Sequence, residues 1–146
     1  MKYNMYKQPT LEDLKKMKDI EAVAYPSFMQ SICDCDTLED LANYCECKVS
    51  QLFCIIGENY YLLAANKKHS VEIVDFASTG RCLEIFKIVK IILKEFSRKK
   101  VIMDCRESTS YPIIVKLLKR KKIKYTDTIW YWENEVMHEI CFHIFY

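Results

Sequence analysis

Apolar positions follow a helical period at the start of the chain and a strand period in its middle, then alternate between the two. Leu11, Leu14, Met17 and Ile20 recur at three-residue steps and Ala24 follows four later, which traces one apolar helical face. Pro9 and Thr10, followed by the acidic residues Glu12 and Asp13, mark the start of that helix. Pro26 restricts the residue before it, so the helix should end near Tyr25. Thr37 is the expected N-cap of a second helix, with Asp40 three residues on and Leu38, Leu41, Ala42 and Cys45 on its apolar side.

From residue 52 the pattern shortens. Apolar runs at 52–56 and 60–65, separated by Gly57, Glu58 and Asn59, read as a β-hairpin. Residues 71–77 alternate Val71, Ile73 and Asp75 against Glu72, Val74 and Phe76, as a strand does. Ser78, Thr79 and Gly80 break that strand, and Leu83, Phe86, Val89, Leu93 and Phe96 then trace a long helix to about residue 97. A strand over 99–105 follows. The polar run Arg106 to Ser110 holds several capping residues. Pro112 suits the first turn of the next helix, whose apolar side is Ile113, Ile114, Leu117 and Leu118. Two strands, about 124–132 and 136–145, end the chain, and a short strand over 2–6 precedes the first helix.

The strands 71–77 and 101–105 flank one helix and should lie parallel, because strand–helix–strand crossovers are right-handed and parallel. The two hairpins must be antiparallel. The expected fold is therefore α/β (α+β): a mixed, mostly antiparallel sheet with a central parallel pair and helices on both faces, in a single domain spanning 1–146.

The 146 residues, 51% hydrophobic and 29% charged, can fill one core and leave a polar surface. The net charge of +2 implies no polyanionic partner. Lys116, Lys119, Arg120, Lys121, Lys122 and Lys124 do cluster, but at an expected helix C-terminus, where the dipole favours cations. Nucleic acid is accordingly not an expected partner. No targeting or membrane-spanning segment is legible, and the expected location is the cytoplasm. The Lys-, Ile- and Tyr-rich usage is of the kind associated with AT-rich microbial or phage genomes.

The eight cysteines do not read as a disulfide framework in a chain with no signal peptide. Cys54, Cys82, Cys105 and Cys141 sit inside apolar patterns, where Cys acts as a small hydrophobe. The pairs Cys33/Cys35 and Cys45/Cys47 lack the usual zinc-knuckle spacing, and no metal site is expected. The aromatic set Tyr125, Trp130, Tyr131, Trp132, Phe142, Phe145 and Tyr146 should form hairpin core and cross-strand pairs. An exposed part of it would make a contact surface.

This order of elements resembles the GNAT acyltransferase superfamily over nearly the whole chain. The stretch Glu21-Ala22-Val23-Ala24-Tyr25-Pro26 resembles the end of the first helix of that family. The resemblance implies an acyl-CoA laid along the central strand, its pyrophosphate on the strand–helix turn, where a helix N-terminus offers free N–H donors. Here that turn is Phe76, Ala77, Ser78, Thr79, Gly80, Arg81 and Cys82, with Ser108 and Thr109 in the neighbouring loop. The family's Arg/Gln-x-x-Gly-x-Gly/Ala pattern is reduced to one glycine, Gly80, and one cation, Arg81. The implied activity is transfer of an acetyl group from acetyl-CoA to an amine of a small molecule or protein. The alternative is an inactive GNAT-like module that binds another macromolecule. The candidate bases, which would take a proton from an ammonium group, are Glu72, Asp75 and Glu107. The family's late-helix tyrosine, a general acid, is replaced by Leu117 or Leu118, and Tyr111 lies about two turns earlier. Cys105 has no His nearby in sequence to make it a nucleophile.

Overall fold

The computed structural model describes residues 8–27, 30–80, 99–108 and 110–143. The expected strand at 2–6, the long helix ending near residue 97, and Arg81, Cys82, Thr109, Phe145 and Tyr146 lie outside them. The elements are α1 (Leu11–Ala24), α2 (Leu38–Tyr44), a 3-10 turn (Val49–Gln51), β1 (Leu52–Ile56), β2 (Tyr60–Asn66), β3 (Ser70–Ser78), β4 (Lys100–Arg106), α3 (Ser110–Arg120), β5 (Tyr125–Trp132) and β6 (Glu135–His143). The six strands order β1-β2-β3-β4-β6-β5. The hairpin pairs are antiparallel and β3 runs parallel to β4 over Ser70↔Lys100 to Ile73↔Met103, as expected. No helix among the described residues is long and apolar enough to cross a membrane.

Packing divides the chain into two compact units, residues 1–67 with 74–83, and 68–73 with 84–146. In the first, both helices open on reciprocal capping boxes. The Thr10 hydroxyl accepts the Asp13 N–H while Asp13 accepts the Thr10 N–H, and Thr37 and Asp40 repeat the arrangement. Leu14, Met17 and Ile20 of α1 and Leu41 and Ala42 of α2 are buried with Cys54, Tyr61, Leu63, Ala65 and Ala77 of the strands. Leu11, expected on the buried face, is exposed, because it lies in the first turn ahead of the part of α1 that packs. Among the cysteines here, Cys35, Cys45 and Cys54 are buried and Cys33 is exposed. The described residues hold no group of three or more His, Cys, Asp or Glu arranged for a metal ion.

In the second unit, cross-strand rows build the core. Val71, Val101 and Phe142 lie side by side, as do Ile73, Met103 and Ile140, and all six are buried. Side chains opposite one another share a face, and each buried one contributes about 1.5–3 kcal/mol. Ile114, Leu117 and Leu118 of α3 are buried at helical spacing, but Ile113 is 44% exposed, so the apolar side of this helix is narrower than expected. Cys105 is buried as expected, whereas Cys141 is only half-buried.

The C-terminal aromatics depart further. The cross-strand pairs exist, with Trp130 opposite Met137 and Tyr131 opposite Val136. Yet Ile129, Tyr131 and Trp132 are 55%, 74% and 39% exposed. Among the described residues β5 is an edge strand, paired with β6 alone.

Glycine is scarce, and the chain makes its turns with other residues. Lys122 holds φ 56° and Glu46 φ 53°, each just past a helix. The Ile123 N–H reaches the Leu118 carbonyl at 2.9 Å and the Lys122 N–H that of Lys119 at 3.1 Å, while Cys47 and Glu46 close α2 in the same way. This is the left-handed cap in which glycine is favoured. Replacing Lys122 by Gly should therefore stabilise the protein by up to about 1 kcal/mol in denaturant unfolding. Gly57 is the opposite case. A Cβ there would run into the ring of Tyr60, itself 7% exposed and unable to swing away. Gly57→Ala should lower stability by about 1–3 kcal/mol in the same measurement.

Candidate functional site

The expected site residues fall into two polar clusters, one in each unit, and a turn. In the first unit the strand alternation that buries Ala77 also turns Asp75 inward. It meets Glu21, which lies on the buried face of α1 next to Ile20 and is 1% exposed. Glu21 Oε1 accepts the Ile32 N–H at 3.0 Å. Two hydroxyls bridge the carboxyl groups. Ser31 Oγ is 2.8 Å from both Glu21 Oε2 and Asp75 Oδ2. Tyr61 Oη is 3.2 Å from Glu21 Oε2 and 2.6 Å from Asp75 Oδ2.

Each hydroxyl carries one proton, so two hydroxyl protons face four short contacts. A proton on Asp75 relieves the shortage. Consistently, burial raises the Asp75 carboxyl to about 6, against the opposing hydrogen bonds from Tyr61 and Ser31 and with the help of the neighbouring Glu21. Because its folded value is raised, Asp75 contributes stability that is complete below its ordinary value near 3.9 and lost as pH rises through about 6. Burial also raises the Tyr61 phenol, and that of Tyr44 to about 12, so both stay protonated.

The turn after β3 is partly engaged. Tyr25 donates its hydroxyl to the Phe76 carbonyl at 2.7 Å, and Ala77 is buried. The Thr79 N–H is held by the Asn59 carbonyl at 2.8 Å. The Gly80 N–H points to Ser78 Oγ at a long 3.4 Å, and Ser78 donates to the Gly80 carbonyl at 2.7 Å. A Cβ at Gly80 would meet nothing within 4 Å, so the space beside it is open. The Gly80 N–H, held by that long contact, is thus a donor that this part of the turn can offer a phosphate oxygen.

In the second unit the alternation of β6 turns His138 inward between Val136 and Ile140, and it is 3% exposed. Its Nδ1 lies 2.7 Å from Asp127 Oδ1 and its Nε2 3.2 Å from Glu107 Oε1. The Tyr111 ring stacks on the imidazole at 3.6 Å between centroids, and its hydroxyl donates to Asp127 Oδ2 at 2.6 Å. Two of the expected residues, Glu107 and Tyr111, are therefore brought together around a histidine that no sequence motif singles out. Tyr111 stacks on that ring. Its bond to Asp127 raises the phenol to about 12, and its proton is directed at that carboxylate.

Glu72 and Asp104 belong to the opposite face. Burial raises the Asp104 carboxyl, with the charges of Glu139 and Glu72 adding to the effect, while the Trp130 indole N–H at 3.0 Å opposes it. Ser108 is an exposed turn residue beyond β4. Cys105 is raised to about 12 by burial, which keeps it a thiol rather than a nucleophile.

Burial disfavours charge on His138, but its hydrogen bonds to Asp127 and Glu107 outweigh burial and raise its pKa. Asp127 is lowered: burial opposes its charge, and the Tyr111 and His138 bonds overcome it. The imidazolium thus contributes stability present below about 6.5 and lost as pH rises through its higher folded value. NMR titration should place the His138 midpoint above about 6.5, and Asp127→Asn should bring it down. A wild-type midpoint at or below that value would rule out this role for the two carboxylates.

No protein-family model matches the chain, and no curated protein matches it in sequence. Solved structures match its fold over nearly its whole length. One is the ribosomal-protein-S18-alanine N-acetyltransferase from Escherichia coli, at 11% identity and TM-score 0.64, covering 97% of this chain and 94% of that one. A second is the PaiA N-acetyltransferase from Thermoplasma acidophilum in complex with coenzyme A, at 11% identity and TM-score 0.57, covering 95% and 98%. A GNAT-family acetyltransferase from Bacillus anthracis matches at 14% identity and TM-score 0.53, covering 99% and 97%. The chain has the fold of the GNAT N-acetyltransferases.

Proposed function

We propose that this chain is an acyl-CoA-dependent N-acyltransferase that moves an acetyl group onto an amine of a small molecule or protein. The observation that carries the reading is Asp75. It is a carboxyl group held near neutrality on the strand that precedes the expected cofactor turn, in a chain whose whole length follows the fold of N-acetyltransferases. An ammonium group must lose a proton before its nitrogen can attack a carbonyl, and a base works best when its pKa lies near the working pH. Of the four candidate catalytic residues, Asp75 has that environment. Glu107 is tied to the His138 imidazole, Glu72 lies on the opposite face beside Asp104, and Tyr111 directs its proton at Asp127.

An acyl-CoA thioester would supply the activated acyl group. The Gly80 N–H would hold a phosphate oxygen, with Ser78, Arg81 and Cys82 as further candidates. Asp75 takes the proton from the ammonium group, and Ser31 and Tyr61 hold its carboxylate in place.

A second reading, a GNAT-like module that binds a macromolecule, is favoured by the exposed Ile129, Tyr131 and Trp132 on edge strand β5.

Calorimetry with acetyl-CoA should give saturable binding. With an amine present, the release of free thiol should fall as pH drops below about 6, and Asp75→Asn should lower kcat by about 10²–10⁴-fold. No detectable heat at millimolar acetyl-CoA would remove the transferase reading. A pull-down without a partner, together with cofactor binding, would remove the second.

A further inference from the structure

We infer that Glu21 is a positioning residue that sets the proton affinity of Asp75 by sharing the hydroxyls of Ser31 and Tyr61 with it. The inference deepens the transferase reading and rests on it, because it explains how the base of that reaction is tuned. It stands first on geometry. Glu21 is 1% exposed on α1, and its outer oxygen meets the same two hydroxyls that meet Asp75. Its inner oxygen is occupied by the Ile32 N–H. A backbone donor and two hydroxyls thus converge on Glu21, and the two hydroxyls are divided between it and Asp75. Asp75 beside it then binds a proton more tightly, because two like charges that share the same donors disfavour each other.

The charge of Glu21 acts on Asp75 and raises its proton affinity. From α2, Tyr44 and Cys45 face the cluster, and burial raises both, so each is neutral at physiological pH. From β2 the facing group is Tyr61, also neutral. Lys67, just past the end of β2, acts on Cys45. The two kinds of neighbour must therefore work in opposite directions on Asp75. Glu21 strengthens its hold on a proton, whereas the hydroxyls of Ser31 and Tyr61 stabilise its charged form.

That opposition is the test. With carboxyl-labelled aspartate, the Asp75 NMR titration should move to lower pH by about one unit or more in Glu21→Gln. It should move to higher pH in Ser31→Ala and in Tyr61→Phe. A merely structural role for Glu21 would shift all three variants the same way, or none, and would overturn the inference. Should Glu21→Gln fail to fold, Ser31→Ala, at a half-exposed position, carries the test alone: an Asp75 midpoint unchanged or lowered in that variant overturns it. The acid limb of kcat/KM is read in parallel. Opposite NMR shifts with an acid limb that stays fixed would leave the Glu21 assignment intact and refute Asp75 as the base. Shifts absent from both overturn the inference.

Discussion

A carboxylate removed from water must be met by hydrogen-bond donors, and Glu21 is met by three from different parts of the first unit. The Ile32 N–H and Ser31 hydroxyl come from the loop after α1, and the Tyr61 hydroxyl comes from β2. Leaving such a group unpaired is far costlier than the net gain of an ordinary hydrogen bond. The position of α1 over the sheet, the path of the loop and the setting of Tyr61 are therefore fixed by one side chain. Asp75 enters the same arrangement from β3 and takes its protonation from it.

The second unit meets the same demand with a different residue. His138 is turned inward by the strand that also buries Ile140 and Phe142. Carboxylates on both ring nitrogens and a tyrosine stacked on its face satisfy it. Each unit thus sets a titratable group with raised proton affinity among hydrogen-bonding partners beside its apolar core, Asp75 in the first and His138 in the second. The consequences for pH run in parallel: both groups hold their proton more tightly folded than unfolded, and both lose stabilising influence as pH rises.

The turn after β3, the expected cofactor turn, is partly engaged and partly open. The usual glycines are gone, and the Thr79 amide is held by Asn59. What is left is the long Gly80-to-Ser78 contact, the one an incoming oxygen can replace at least expense, and the unobstructed space at Gly80. Chemistry in this chain would accordingly lean on fewer backbone donors than the resemblance implies.

Much of the fold was legible in local sequence because local physics sets it. Thr10 with Asp13, and Thr37 with Asp40, announce reciprocal caps, and strand alternation marks β3, β4 and the hairpins. Asp75 was readable as inward-facing for the same reason. His138 carried the same signal, a polar residue at an inward position between Val136 and Ile140. Partners were not legible. Nothing in sequence separation links Glu21 to Asp75, which meet through Ser31, 10 residues from the one and 44 from the other, or Tyr111 to Asp127, 16 residues away. Nor did apolar composition reveal that Tyr131 and Ile129 stay exposed, because exposure depends on which strand ends up at the edge. Periodicity acts within a few residues and so determined the elements. Burial and charge pairing act through space, and only the tertiary structure decided that Asp75 holds its proton more tightly than a free carboxyl group does.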